Sequence, residues 1–140
     1  MAESERLHFL LSRLPNAELV VVSGVEQLGA ALGFARDTLD EVKLAVLEAC
    51  LNALEHGGSE VEVELVAHQG REPWMEVSVV DRGPGFDPGA VASPRLNDKL
   101  HAQRKRGWGL ELMRRLMDRV EILSVPGRTQ VRMVRGRRGV

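Results

Sequence analysis

The sequence predicts an α+β domain, a two-layer α/β sandwich in which helices cover one face of a mixed sheet. Three observations predict it. The periodic segments run strands, helices, strands, then one helix set between hairpins, without the βαβα alternation of a parallel sheet. Residues 60–66 alternate strictly between Val61, Val63, Leu65 and Glu60, Glu62, Glu64, which marks a half-solvated strand. Residues 39–56 are apolar around most of a helix's girth, which marks a buried helix.

Each element has a local reason. Leu7–Leu11 reads as an edge strand and Leu19–Val22 as a second, with Pro15-Asn16 as the turn between them. Val25–Ala35 reads as a helix with Val25, Leu28, Leu32 and Ala35 on one side. Thr38 followed by Glu41 fits a capping box, so the next helix is expected over 39–56, stopped by Gly57-Gly58. Within it Glu48, Asn52 and Glu55/His56 form one polar line, and polar groups on a buried helix need partners or a cavity. Residues 60–66 and Met75–Val80 form an antiparallel hairpin around His68–Arg71. About twenty residues with little periodicity follow, up to Arg106; a loop that long in a compact domain is functional or disordered. Gly107-Trp108-Gly109 then opens a helix with Leu110, Met113, Leu116 and Met117 inward. Val120–Val125 and Thr129–Val134 form a last hairpin, and 135–140 is a basic tail.

Composition narrows the function. The chain has 140 residues, 44% hydrophobic and 28% charged, as expected of one soluble globular domain. No apolar run approaches the roughly 18 residues of a membrane span. The first residues lack the apolar core of a signal peptide, so a cytoplasmic location is expected. The single Cys50 excludes a disulfide scaffold and a cysteine-rich zinc site, and reads as a small core hydrophobe. Residues 1–70 carry 12 acidic and 4 basic side chains; residues 71–140 carry 8 acidic and 15 basic ones. A basic half can meet nucleic acid, nucleotide phosphates or an acidic surface, but no nucleic-acid recognition motif accompanies it.

Three short motifs carry chemistry: Glu48-x-x-x-Asn52-x-x-x-His56-Gly57 on the long helix, Asp81-x-Gly83-x-Gly85 at a strand end, and Arg106-Gly107-Trp108-Gly109-Leu110 opening a helix. Each alone has an ordinary structural explanation. In this order and setting, they resemble the ATP-binding site of the GHKL superfamily, the Bergerat fold of gyrase, MutL and histidine-kinase catalytic domains. The resemblance covers residues 35–135, within a chain read as a single domain over 1–140. Glu48–Gly57 resembles the N-box, Asp81–Pro88 the G1 box, and Gly107–Met113 with Leu116–Val120 the G2 box and its helix. Within the superfamily, the chain looks most like the small bacterial anti-sigma-factor serine/threonine kinases.

That resemblance implies ATP and Mg²⁺ as cofactors and assigns roles. A carboxylate such as Asp81 accepts a hydrogen bond from an exocyclic adenine amine. Gly83 and Gly85 leave room where backbone approaches the base. Asn52 offers Mg²⁺ an amide oxygen. Glu48, one turn away on the same face, takes the proton of an attacking hydroxyl. Gly107 and Gly109 expose N–H groups at a helix N-terminus for the phosphates, with Arg106 neutralising charge and Leu110 following. Residues 86–106 become the ATP lid. His56 is expected to pack or cap, not to perform chemistry. Arg128 separates Gly127 from Thr129, against a phosphate role for that threonine. The resemblance further implies a sigma factor and a STAS-domain anti-anti-sigma protein as partners, and a homodimer; it implies no membrane and no direct nucleic-acid contact. The other readings are a histidine-kinase catalytic module and a nucleotide-gated binding module without transferase activity.

Overall fold

The computed structural model describes residues 4–56, 60–83 and 101–137, with backbone alone for 101–108. The chain runs β1 (Ser4–Ser12), α1 (Glu18–Ala31), α2 (Arg36–His56), β2 (Glu60–His68), β3 (Trp74–Asp81), α3 (His101–Leu116), β4 (Arg119–Val125) and β5 (Arg128–Gly136). The five strands form one sheet in the order β1-β2-β3-β5-β4. The α+β class and the two-layer build are as predicted. The sheet is not mixed: all four described pairings are antiparallel. β2–β3 and β4–β5 are hairpins and β1 reaches β2 through α1 and α2, whereas β3, α3 and β4 form a split crossover in which β4 runs parallel to β3 with β5 between them.

Burial in β2 and β3 follows the pleat. Val61, Val63 and Leu65 on β2, and Met75, Val77 and Val79 on β3, are fully buried against the helices. The opposite face is polar and laced by cross-strand pairs. Arg6 donates to Glu64 at 2.7 Å and Arg132 to Glu76 at 2.8 Å, while the His68 ring stacks on Trp74 at 3.8 Å. The β4–β5 turn has two central residues, Pro126 and Gly127. Proline presets the first and glycine accepts a φ of 87° at the second.

Several boundaries depart from the sequence reading. Leu19–Val22 is not a strand; it lies in the first turns of α1. The run is ambiguous by itself, but Val21, Val25, Leu28 and Leu32 fall on one helical face and are buried, whereas Leu19 and Val20 are 53% and 57% exposed. The helix stops at Ala31, earlier than Ala35. Gly33 takes a φ of 76°, and N–H groups of Gly33 and Phe34 reach back to the carbonyls of Ala30 and Gly29, a Schellman stop. Second, α2 begins at Arg36, so Thr38 and Glu41 lie inside the helix and make no capping box. The Gly57-Gly58 stop lies outside the described residues.

Third, α3 begins at His101, six residues before Gly107. His101–Arg106 are therefore helix, and Gly107 and Gly109 are within it, not at its N-terminus. The charged run before the glycines carries no apolar period, so periodicity alone gave no signal of it. At the other end of the chain β5 continues to Gly136. Arg135 is therefore not part of a solvated tail. Its side chain is 13% exposed, donates to Glu41 Oε2 at 2.8 Å, and also donates to the Leu116 carbonyl at the C-terminus of α3.

Candidate functional site

Three elements converge at one end of the sheet. α2 lies over β2 and β3 with Leu39, Val42, Val46, Ala49 and Ala53 inward. One turn apart on its flank are Glu48, half-buried, and Asn52, 6% exposed. The last residue of β3 is Asp81, also 6% exposed. The antiparallel register sets Asp81 directly opposite Thr129, which is 1% exposed. α3 then closes the side, with Gly109, Leu110 and Met113 buried.

A small, partly open pocket with a void of about 20 Å³ lies between them. Val79, Leu110 and Met113 supply apolar walls, and Asn52, Asp81 and Thr129 are its polar groups. Apolar walls with a few convergent polar atoms are the kind of lining that small-molecule sites share. Gly83 N–H donates to Asp81 Oδ1 at 3.1 Å, which fixes the carboxylate at the strand end. Thr129 Oγ1 is 2.7 Å from Ser124 Oγ on β4.

Asn52 Nδ2 is buried with no hydrogen-bond partner among the described residues. An orphaned buried amide costs about 1–3 kcal/mol, and such groups mark sites completed by a ligand or water. Beside it, a side chain at Gly109 would need Asn52 and Glu48 to shift. A Cβ there would lie 2.5 Å from Asn52 Nδ2 and 2.6 Å from Glu48 Oε1. The glycine lets α3 approach α2 closely beside Glu48 and Asn52.

The structure brings together Glu48, Asn52, Asp81, Gly83, Gly109 and Leu110. Gly85 lies outside the described residues, as does the predicted lid up to residue 100. Gly107 is in α3, where its N–H does not face an open helix end; the Arg106 and Trp108 side chains lie outside the description. Thr129 is the residue that the sequence reading set aside. Its only sequence signal is a position two residues after the turn glycine, and its place beside Asp81 depends on β3 pairing with β5. His56 is half-buried at the end of α2, 3.9 Å from Glu55, in keeping with packing. Burial pushes the Cys50 thiol up to about 12, so it behaves as a core hydrophobe. Among the described residues no cluster of three or more His, Cys, Asp or Glu could hold a metal by itself, and no helix is long and apolar enough to cross a membrane.

Comparison with known proteins agrees with this geometry. Residues 12–135 match the family model described as the histidine kinase-like ATPase domain. The serine-protein kinase RsbW of Bacillus cereus is 30–31% identical over 133 residues, covering 89% of this chain and 83% of the relative. Among solved structures, the RsbU and RsbW domains of a Mycobacterium tuberculosis protein superpose with a TM-score of 0.65 at 20% identity. That match covers 94% of this chain, which spans 32% of the solved one. A mycobacterial sensor histidine kinase, MprB, superposes with a TM-score of 0.54 at 16% identity, over 96% of this chain and all of the other; these two likenesses concern the fold. The chain belongs to the histidine kinase-like ATPase family, the GHKL group, and within it is related to the RsbW-like anti-sigma-factor kinases.

Proposed function

We propose that the chain is an ATP-dependent protein serine/threonine kinase. It phosphorylates a small STAS-domain anti-anti-sigma protein and sequesters a sigma factor in the alternative partner state. The observation that carries the nucleotide part is the buried group Asp81, Thr129 and Asn52 around an apolar slot. The partner part is supported by the likeness to the Bacillus serine-protein kinases alone.

The residues fit Mg-ATP. The slot takes the adenine, and Asp81 accepts its exocyclic amine, a donor that guanine lacks at that position. Asn52 would hold Mg²⁺ through its amide oxygen, a hard ligand of the kind this ion takes alongside phosphate and water, while its unpartnered Nδ2–H would be left to donate to a phosphate or a bound water. When bound, Mg²⁺ neutralises phosphate charge. Glu48, on the same face as Asn52, accepts the proton of the attacking hydroxyl. Phosphoryl transfer needs positioning and charge stabilisation more than covalent help, so a compact domain of 140 residues is sufficient. Gly107, Gly109 and Arg106 meet the phosphates once the first turns of α3 open, and residues 86–106 close as the lid. Gly83 and Gly85 leave space beside the base. The working form is a cytoplasmic homodimer joined through the β1 edge.

The direct test is incubation with γ-labelled ATP and a STAS-domain protein. Acid-stable phosphoserine or phosphothreonine on that protein is expected. Acid-labile phosphohistidine would favour a histidine-kinase module, and no transfer with tight ATP binding would favour a nucleotide-gated binding module.

A further inference from the structure

α2 has a second face that the nucleotide pocket does not use. Leu44 and Leu51 are 44% and 39% exposed, and Leu47 between them is half-buried. Spacings of three and four residues stack the three on one ridge about 10 Å long. Single exposed leucines are ordinary, but a contiguous apolar ridge on one helix is a contact surface in search of a partner.

The two flanks of the ridge differ. On one side Arg36 and Lys43 are both held by Glu26 of α1, at 2.8 and 3.2 Å. On the other side Asp37, Glu41, Glu48 and Glu55 follow at spacings of four, seven and seven, one acidic line down the helix. This line borders α3: Glu41 pairs with Arg135, and Glu48 lies against Gly109. The ridge is therefore apolar along its crest and acidic along the edge nearest the nucleotide pocket.

We propose that the Leu44–Leu47–Leu51 ridge docks the protein that receives the phosphoryl group, through an apolar helical face edged by Lys or Arg. The proposal rests on the kinase reading above. Glu48 belongs to the acidic line and lies one turn from Asn52, which lines the pocket, as well as one turn from Leu44 and from Leu51. A protein seated on the ridge brings its surface to the carboxylate that must take its hydroxyl proton. A second copy of this chain fits poorly. In a two-fold antiparallel helix pair the same edges face each other, and the acidic lines would oppose.

The probe is an 18-residue amphipathic peptide with leucines at i, i+3, i+4 and i+7 and lysines along one edge. Its control carries glutamates on that edge. Both are titrated into the ¹⁵N-labelled full chain. The lysine-edged peptide is expected to shift amides of residues 40–55, more weakly as salt rises, and the glutamate-edged one to bind at least about tenfold less tightly. Leu44→Asp with Leu51→Asp should weaken the lysine-edged peptide by about tenfold or more, with ATP affinity unchanged. Leu44→Gln with Leu51→Gln covers the case in which the aspartates unfold the chain. Asp37→Lys with Glu55→Lys should weaken binding and flatten its salt dependence. Equal binding of both peptides, shifts confined to other elements, or indifference to the leucine substitutions would overturn the proposal. So would a dimer that the leucine substitutions dissolve, because the ridge would then belong to a second copy. Loss of ATP binding in the parent chain with the ridge shifts intact would sink the kinase reading and leave the docking surface standing.

Discussion

Asp81 and Thr129 face each other across β3 and β5, both almost fully buried, at the floor of the pocket. A carboxylate and a hydroxyl in register offer an acceptor and a donor side by side, the pattern that a heterocycle edge can read. Asp81→Asn removes the charge of the acceptor. Charged hydrogen bonds contribute roughly 1.5–3 kcal/mol, so ATP affinity should fall about 10- to 150-fold by calorimetry. Equal affinity of the parent chain for ATP and GTP would remove the adenine assignment.

Glu48 and Asn52 should separate binding from transfer. Asn52→Ala is expected to abolish Mg²⁺-dependent nucleotide binding, read by a fluorescent ATP analogue with and without the metal. Glu48→Ala should retain nucleotide and lower phosphoryl transfer about 10²- to 10⁴-fold. Transfer at the parental rate would place the base elsewhere.

Two glycines should respond differently to the same substitution. At Gly109 an added Cβ meets the ends of Asn52 and Glu48. Both can swing aside, so Gly109→Ala should lower nucleotide binding and transfer while the melting temperature changes by only a few degrees. At Gly29 the added Cβ meets Leu39, a buried core side chain. Alanine gains about 1 kcal/mol of helix propensity, but overpacking costs about 1–3 kcal/mol. Gly29→Ala should therefore be net destabilising by thermal unfolding, with catalysis per folded molecule unchanged.

Acid should weaken the fold through two exposed or half-buried carboxylates. Hydrogen bonds from Arg36 and Lys43 hold the Glu26 carboxyl down to about 2, from an ordinary 4.5. Burial raises the Glu76 carboxyl, but the hydrogen bonds from Arg132 and His68 outweigh it, leaving it below the ordinary range. In both cases the unfolded chain takes up protons first as pH falls, so the stabilisation is complete above pH 4.5 and is lost below it, for Glu26 toward pH 2. Glu26→Gln should flatten the dependence of melting temperature on pH within that window. An unchanged slope would mean that solvent screens these pairs.

The β1 edge is open on one side and lies beside a groove lined by Leu7, Phe9, Leu19 and Val20. Pairing of this edge with a second copy would cover it. Light scattering should give a dimer that Phe9→Lys converts to monomer. A monomer at high micromolar concentration would exclude the assembly.

The sequence by itself determined the elements whose periodicity is long and consistent. Alternation over 60–66 set β2, the apolar girth of 39–56 set α2, and two turn signals set the hairpins. It also determined which side chains are chemically unusual: Glu48 and Asn52 on a buried helix, and Asp81 at a strand end. Local pattern could not decide Leu19–Val22, because four apolar residues satisfy a helix and a strand equally; packing of Val21 and Val25 under the sheet's helical layer chose the helix. Nor could it place Thr129 or Arg135, whose partners are 48 and 94 residues away. Their roles are set by strand order and by the docking of α3 on α2, which are non-local contacts. Backbone periodicity is written in neighbouring residues. A pocket is made by residues that only the packed layers bring together.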